Sequence, residues 1–306
     1  MNVLARNIPV LLSLLKVQEL GSINKAAEAL HMSQPSLTRN ISRLEKLLKV
    51  RILERNAKGV FLTSFGTALV EYAHVIDAEL RHAVETIDAL KGNSTAVLRI
   101  GATPLVLTQF LPMALKALRR DFASVSVKVI EGSRPVLLER LRHLDVDVAI
   151  VTLPPDWEES GIAPHPLFEL NPNVVVRAGH PLTQKANLKL EDLAAWQWIL
   201  PRSNGSVYEH ILRTFRRARV DLPSYSIEMG SPDATKALLL STDLLSVLPI
   251  QIIAHELKLN QLAVLKGDWN FSRRVVVACF SKDGTRSKVA AQFLQYIKQL
   301  NARTRF

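Results

Sequence analysis

Residues 21–39 read Gly21-Ser22-Ile23-Asn24-Lys25-Ala26-Ala27-Glu28-Ala29-Leu30-His31-Met32-Ser33-Gln34-Pro35-Ser36-Leu37-Thr38-Arg39, and their punctuation decides the fold of the first part of the chain. Gly21 can end a preceding helix, and Ser22 stands where an N-cap accepts a free backbone N–H. A short helix is expected over residues 23–31, with Ala26 and Ala27 allowing close approach of a neighbour. Ser33 then supplies the next N-cap, and Pro35 falls in the first turn of a third helix. Helix, tight turn and helix in this order outline a helix-turn-helix. A Ser-capped short helix on its own is commonplace, so the weight lies in the order of the pieces.

In the third helix Leu37, Ile41, Leu44 and Leu48 recur at helical spacing and form the buried stripe. The opposite face carries Gln34, Pro35, Thr38, Arg39, Ser42 and Lys46. Short polar groups near a helix start and a planar guanidinium suit base edges in a major groove, Arg toward guanine and Gln toward adenine. The candidate DNA contacts on this helix are Ser33, Gln34, Pro35, Ser36, Thr38, Arg39, Ser42 and Arg43. Downstream, the apolar runs 50–53 and 59–62 flank a polar stretch, the pattern of a small hairpin wing whose Arg55 and Lys58 would touch phosphate. A merely solvated basic hairpin is the plainer alternative. Residues 33–60 hold seven basic side chains against two acidic, and the whole chain has a formal charge of +11, so a polyanionic partner is favoured. Upstream, Ile8, Leu11, Leu12 and Leu15 predict an amphipathic helix over residues 8–18.

The stretch 21–39, continued through Ile41, Leu44-Glu45 and Leu53-Glu54-Arg55, resembles the LysR-type transcriptional regulators. Small departures are Lys49 where that family often has Gly, Leu53 where Phe is usual and Ile23 where Phe is common. Residues 64–91 contain no proline, and Leu69, Ala73, Ile76, Leu80, Ala83, Ile87 and Leu90 alternate as a heptad seam on one long helix. Packing on its own domain is one reading; dimerisation is favoured, because a helix this long between two domains has no obvious wall to cover its seam. The resemblance implies paired linker helices within a dimer of dimers. Gly92-Asn93-Ser94 breaks the helix.

From Ala96 onward, strand-like runs alternate with amphipathic helices, as an α/β fold requires. Strands are expected at 97–101, 125–130, 146–151, 174–177, 198–200, 225–229, 244–248 and 275–280, with the last helix over 288–300. Two α/β lobes with a cleft between them fit this series, and open α/β sheets bind ligands at the carboxyl ends of strands. The resemblance adds that the lobes are like those of periplasmic solute-binding proteins, with the chain crossing twice. The expected fold class is therefore multidomain: an N-terminal all-α winged helix-turn-helix (1–63), a linker helix (64–92) and a two-lobed α/β effector domain (93–306). Lobe I would take about 93–167 and 269–306, and lobe II about 168–268.

Thr103-Pro104, Ser133, Ser203 and Ser231 each follow a strand and open a helix, where free N–H groups and the positive dipole end attract an anion. Each alone is an ordinary N-cap. The resemblance implies effector contacts at Thr103, Thr152, Pro154, Ser203, Ser231 and Pro249. A small carboxylate or other organic anion is expected, with Arg134, Arg202 or Lys236 as counter-charge.

Composition bounds the rest. Hydrophobic residues make up 48% of the chain and charged residues 22%, a globular balance rather than a disordered one. No stretch approaches the length of a membrane span, and residues 8–15 lack a basic leader and a cleavage site, so a cytoplasmic protein with no membrane partner is expected. The lone Cys279 lies in an apolar strand and reads as a small hydrophobe. No nucleophile elbow, phosphate loop or dinucleotide fingerprint is present. The histidines are scattered, and Asp145 and Asp147 read as strand-edge polar residues. No enzyme activity, cofactor or metal is expected. A solute-binding protein or small-molecule enzyme with an incidental helical head and an architectural DNA protein are the rival classes. The expected partners are double-stranded promoter DNA, the small anionic effector and further copies of the chain, with RNA polymerase as a further candidate.

Overall fold

The structure is a computed structural model that describes residues 4–56, 59–91, 96–122, 124–153, 157–201, 206–221, 225–269, 271, 273–282 and 288–303. Its first unit comprises α1 (Ile8–Leu20), α2 (Ile23–Ala29), α3 (Gln34–Leu48), the hairpin β1 (Leu53–Asn56) and β2 (Gly59–Leu62), and the start of α4 (Ser64–Leu90). Gly21, at φ 59°, closes α1 in the left-handed region that glycine adopts without penalty. The Ser22 and Ser33 hydroxyls accept the N–H groups of Lys25 and Ser36, each at 3.4 Å, so both caps act on free helix donors. Leu11, Leu14, Ala26, Ala27, Leu37, Ile41 and Leu44 form one core, closed by Val70 and Ala73 of α4.

The first wing strand begins at Leu53, three residues later than the apolar run 50–53 suggests. Two contacts cause the delay. Lys49 caps α3 in the left-handed region at φ 56°, and the Glu45 carboxylate accepts the N–H of Ile52 at 2.8 Å and of Leu53 at 3.3 Å. Residues 50–52 are thereby held as a connector. At the other end of the wing the Thr63 hydroxyl accepts the Gly66 N–H at 3.1 Å, and a side-chain carbon at Gly66 would lie 2.2 Å from the Ile52 carbonyl.

The second unit contains, in chain order, β3 (Val97–Ala102), α5 (Pro104–Asp121), β4 (Ser126–Glu131), α6 (Arg134–Arg142), β5 (Val148–Leu153) and β6 (Ile162–Leu170). Next come β7 (Pro172–Arg177), α7 (Leu190–Ala194), β8 (Trp198–Leu200), α8 (Ser206–Ala218), β9 (Tyr225–Glu228) and α9 (Pro232–Ser241). The chain ends with β10 (Ser246–Pro249), α10 (Ala254–Lys258), β11 (Leu262–Val264), β12 (Arg274–Ser281) and α11 (Lys288–Arg303). The larger sheet has the order β4-β3-β5-β12-β6, with β12 antiparallel to both neighbours. The smaller lobe holds the antiparallel sheet β10-β7-β11 and the parallel pair β8-β9. Strand β6 stays in the larger sheet to Leu170, β7 opens in the smaller one at Pro172, and β12 brings the chain back. Strand β6 is not among the strands expected from the sequence, and its Pro164 and Pro166 cannot donate to a ladder. It lies at the sheet edge, where a missing N–H is tolerated.

Helix α4 meets both units. Its first half does have a wall: Ala73 is fully buried, and Leu69 and Ile76 pack on the N-terminal core. Its second half leaves Leu80, Val84, Ile87 and Leu90 half or more exposed. The polar side of α4 docks on the larger lobe. Glu71 meets His143 at 2.8 Å, His74 stacks on His143 with ring centroids 4.0 Å apart, and Arg81 pairs with Asp145 at 3.4 Å. Glu85 grips the buried guanidinium of Arg99, whose backbone N–H donates to Asp147 at 2.6 Å. Asp145 and Asp147 are thus docking points for the linker rather than bystanders at a strand edge. Cys279 is buried, and burial pushes its thiol up to about 12, as for an inert small hydrophobe.

Lys49 holds a left-handed conformation that costs a side-chain-bearing residue about 1 kcal/mol relative to glycine. Lys49→Gly should therefore raise the stability of the N-terminal unit by about that amount. Hydrogen exchange of the core amides in α1 and α3 measures it, and slower exchange is the expected result.

Candidate nucleic-acid interface and ligand cleft

Helix α3 buries Leu37, Ile41 and Leu44 and turns its other face outward. Ser33, Pro35, Arg39 and Arg43 are exposed, while Gln34, Ser36, Thr38 and Ser42 are half-buried. The Gln34 amide donates to the Thr38 hydroxyl at 2.9 Å, so these two side chains are ordered one turn apart in the absence of any partner. Arg39 and Arg43 form no ion pair among the described residues, which leaves both guanidiniums available. Arg55 lies on β1 opposite Val60. Lys58 and the side chain of Arg55 fall outside the described residues. The Gly21 carbonyl accepts the Val60 N–H at 3.2 Å and so ties the wing to the turn between α1 and α2.

The second site is a partly open cavity of about 260 Å³ lined by residues of both lobes. Thr103, Pro104, Thr152, Ser231 and Pro249 all line it, so strand ends far apart in sequence converge there. Ser133 stands at the N-cap of α6 without a side-chain cap hydrogen bond and does not line the cavity; its neighbour Arg134 does. Pro154, Ser203 and Arg202 lie outside the described residues. Thr103 stands at the N-cap of α5, yet its hydroxyl caps nothing and is buried without a partner among the described residues. Ser231 caps α9 through the Ala234 N–H at 3.4 Å.

The charged groups on this lining are Arg134 and Arg274, with His210 beside them, and no Asp or Glu is among the described lining residues. Burial draws the Arg274 guanidinium down to about 10, with the charge of Arg134 adding to it. The His210 imidazole is also lowered, first by burial and then by Arg274. Lys236 is spent elsewhere: it pairs with Glu256 at 3.0 Å and Asp233 at 3.2 Å. Most of the remaining wall is carbon, from Leu105, Leu170, Ile211, Met229, Leu248, Ile252 and Phe271.

The family described as bacterial regulatory helix-turn-helix protein, lysR family, matches residues 10–67, and the LysR substrate binding domain matches residues 91–302. The chain belongs to the LysR family of transcriptional regulators. Among curated relatives, the HTH-type transcriptional regulator CbbR of Rhizobium meliloti is 30% identical over 253 residues, covering 81% of this chain and 79% of its own. The HTH-type transcriptional regulator PcaQ of Agrobacterium fabrum is 29% identical over 245 residues, covering 80% and 78%. Among solved structures, CbnR, a LysR family transcriptional regulator, shares the fold with a TM-score of 0.63 at 21% identity, over 95% of this chain and 98% of that one.

In this LysR-type regulator Arg274, His210 and Phe271 are cleft residues that sequence reasoning missed. Arg274 opens a strand in an Arg-Arg pair, and nothing in a one-dimensional pattern tells which of Arg273 and Arg274 turns inward. The structure does: Arg273 is exposed and pairs with Glu169 at 3.2 Å, whereas Arg274 is buried. Among the described residues no helix is long and apolar enough to cross a membrane, and no His, Cys, Asp and Glu cluster could hold a metal.

A buried hydroxyl without a partner destabilises the fold, by about 1–3 kcal/mol where water cannot compensate. Thr103→Val should therefore raise the Tm of the ligand-free protein by a few degrees at most, measured by calorimetry. A fall would show that the hydroxyl is hydrogen-bonded in solution.

Proposed function

We propose that this regulator reads promoter DNA with α3 and its wing, and that a small organic anion held between the two lobes sets the arrangement in which it does so. The observation that carries the effector reading is the interlobe cavity, whose charged lining is basic and whose walls are otherwise largely apolar. An anion there gains charge-assisted hydrogen bonds in a low-dielectric site. We assign residues 1–63 to DNA binding, 64–92 to the linker and 93–306 to effector binding, in a cytoplasmic protein without catalytic function. Ser33, Gln34, Pro35, Ser36, Thr38, Arg39 and Ser42 would meet bases and sugar-phosphate in the major groove, with Arg43, Arg55 and Lys58 on phosphate.

Effector binding can shift the protein only through a difference in affinity between two arrangements. Lobe closure is one such difference, and it reaches the DNA-binding unit through the ionic contacts of α4 on the larger lobe. The exposed second half of the α4 seam would pair with the same helix of a second copy, and such dimers would associate again into a dimer of dimers. RNA polymerase is the natural further partner of a protein so placed on a promoter.

Two experiments test this reading. Gel shift and footprinting of the full chain on DNA upstream of its own gene should show a salt-sensitive, sequence-specific complex whose footprint changes with one carboxylic acid of a panel. Arg39→Ala should then remove about 1–3 kcal/mol of discrimination at one base position. Equal weakening on all sequences would make Arg39 a phosphate contact, and the absence of any specific complex would defeat the assignment of α3. Second, replacing Leu80 and Ile87 together by Glu should dissociate the oligomer without unfolding it. Light scattering after size exclusion reads the mass, and an unchanged mass would remove the seam from the interface.

A further inference from the structure

One residue of the cleft narrows the class of ligand it would hold. Arg274 opens β12, where the chain returns from the smaller lobe to the larger. It lines the cleft, is 6% exposed, and its Nε and Nη1 are buried without a hydrogen-bond partner among the described residues. Arg99 is buried to the same degree, at 7% exposure, but has Glu85 and serves as half of a structural ion pair. The half-buried Lys236 has two carboxylates. A buried cation with unused donors is unfavourable by itself, because desolvation is not offset by a partner. The neighbouring charge of Arg134 adds repulsion, which an anion would relieve.

The rest of the cleft restricts what that anion can be. Thr103 contributes a second unused donor from the same lobe. Leu105, Leu170, Ile211, Leu248, Ile252 and Phe271 supply apolar surface. A second charged group, or a chain of hydroxyls, lying against those residues would lose its water without gaining partners. Resting on the cleft reading above, we propose that Arg274 is the anion anchor of the cleft and selects a monocarboxylate with an apolar body, an arylcarboxylate or a medium-chain fatty acid. Against those apolar walls, polyhydroxylated and phosphorylated acids should bind more weakly than such a monocarboxylate. The carboxylate sits on the larger lobe between Arg274 and the Thr103 hydroxyl, and the smaller lobe closes over the apolar body.

The test is thermal unfolding and titration calorimetry of the full chain with benzoate, octanoate, quinate, 3-phosphoglycerate and the neutral isostere benzamide. The variants are Arg274→Met, Arg274→Lys and the cleft-filling Val207→Trp. Benzoate or octanoate should raise the Tm of the unmodified protein, and benzamide should not. Arg274→Met should weaken that binding by at least about tenfold, the loss of a hydrogen bond to a charged group, and Arg274→Lys should restore part of it. Without ligand, Arg274→Met should unfold at or above the temperature of the unmodified protein, because it removes an unpaired buried charge. A structural arginine would give a fall, and that result would overturn the assignment. Undiminished binding to Arg274→Met, equal binding of benzamide, response only to quinate or 3-phosphoglycerate, or no response to any acid would each overturn it too. Val207→Trp separates the two levels of failure. If it abolishes binding that Arg274→Met leaves intact, the cleft stands and the anchor falls; if binding survives both changes, the ligand lies outside the cleft.

Discussion

The clasp of Glu85 on Arg99 joins the long helix to the sensing lobe, and much of the molecule's logic hangs on it. Arg99 sits on β3, next to the central strand of the larger sheet, and its own N–H is held by the buried Asp147. Burial holds the Asp147 carboxyl above its usual range, while the Arg99 guanidinium keeps Glu85 below its own. Removing one member of such a cluster strands charge in a poorly hydrated place, so each member depends on the others. Around it, Glu71 with His143 and Arg81 with Asp145 extend the contact along the helix. The same helix closes the N-terminal core with Val70 and Ala73. A rigid element that is part of one core and clasped to another is what a transmitter between two sites requires.

The cleft obeys a different constraint. Its walls come from two sheets that share no ladder, linked by the crossing at residue 171 and by the return into β12. Two polar groups on its lining are unsatisfied among the described residues, the Thr103 hydroxyl and the Arg274 guanidinium, whereas Ser231, Thr235 and Ser246 each have a partner. Natural folds pair nearly all their buried polar groups, so an unpaired pair of donors on the lining of a cleft is a candidate for completion by a ligand. The N-terminal unit is different in kind. There the caps at Ser22 and Ser33, the Glu45 carboxylate and the Thr63 hydroxyl each find a backbone donor, which gives a fixed platform for α3.

Local signals explain why that platform could be read from one dimension. Ser22, Ser33, Pro35 and Gly21 act within one helical turn of themselves, and the stripe of Leu37, Ile41 and Leu44 needs only a periodicity of 3.6 residues. The wing was less legible, because the contact that delays its first strand reaches from Glu45 to Ile52 and no local propensity encodes it. Strand β6 was not read from the sequence, and the compatibility of its prolines with a strand depends on lying at an edge. The heptad seam was legible as a pattern, but its division into a half that packs within the chain and a half left open depends on where α1 lies.

The amino-acid sequence alone determined the helix-turn-helix, the long linker helix, the alternating α/β character of the remainder and the family, because each rests on spacing within a few turns or on the order of such pieces. Through the family resemblance it also nominated Thr103, Thr152, Ser231 and Pro249 for a common site. Only the tertiary structure decided that these residues meet, that Arg274 rather than Arg273 or Lys236 turns toward them, and that Asp145 and Asp147 serve the linker. The physical reason is that burial and partnership of a charge are properties of three-dimensional surroundings. An arginine is the same residue in the sequence whether a carboxylate awaits it, as at Arg99, or none does, as at Arg274.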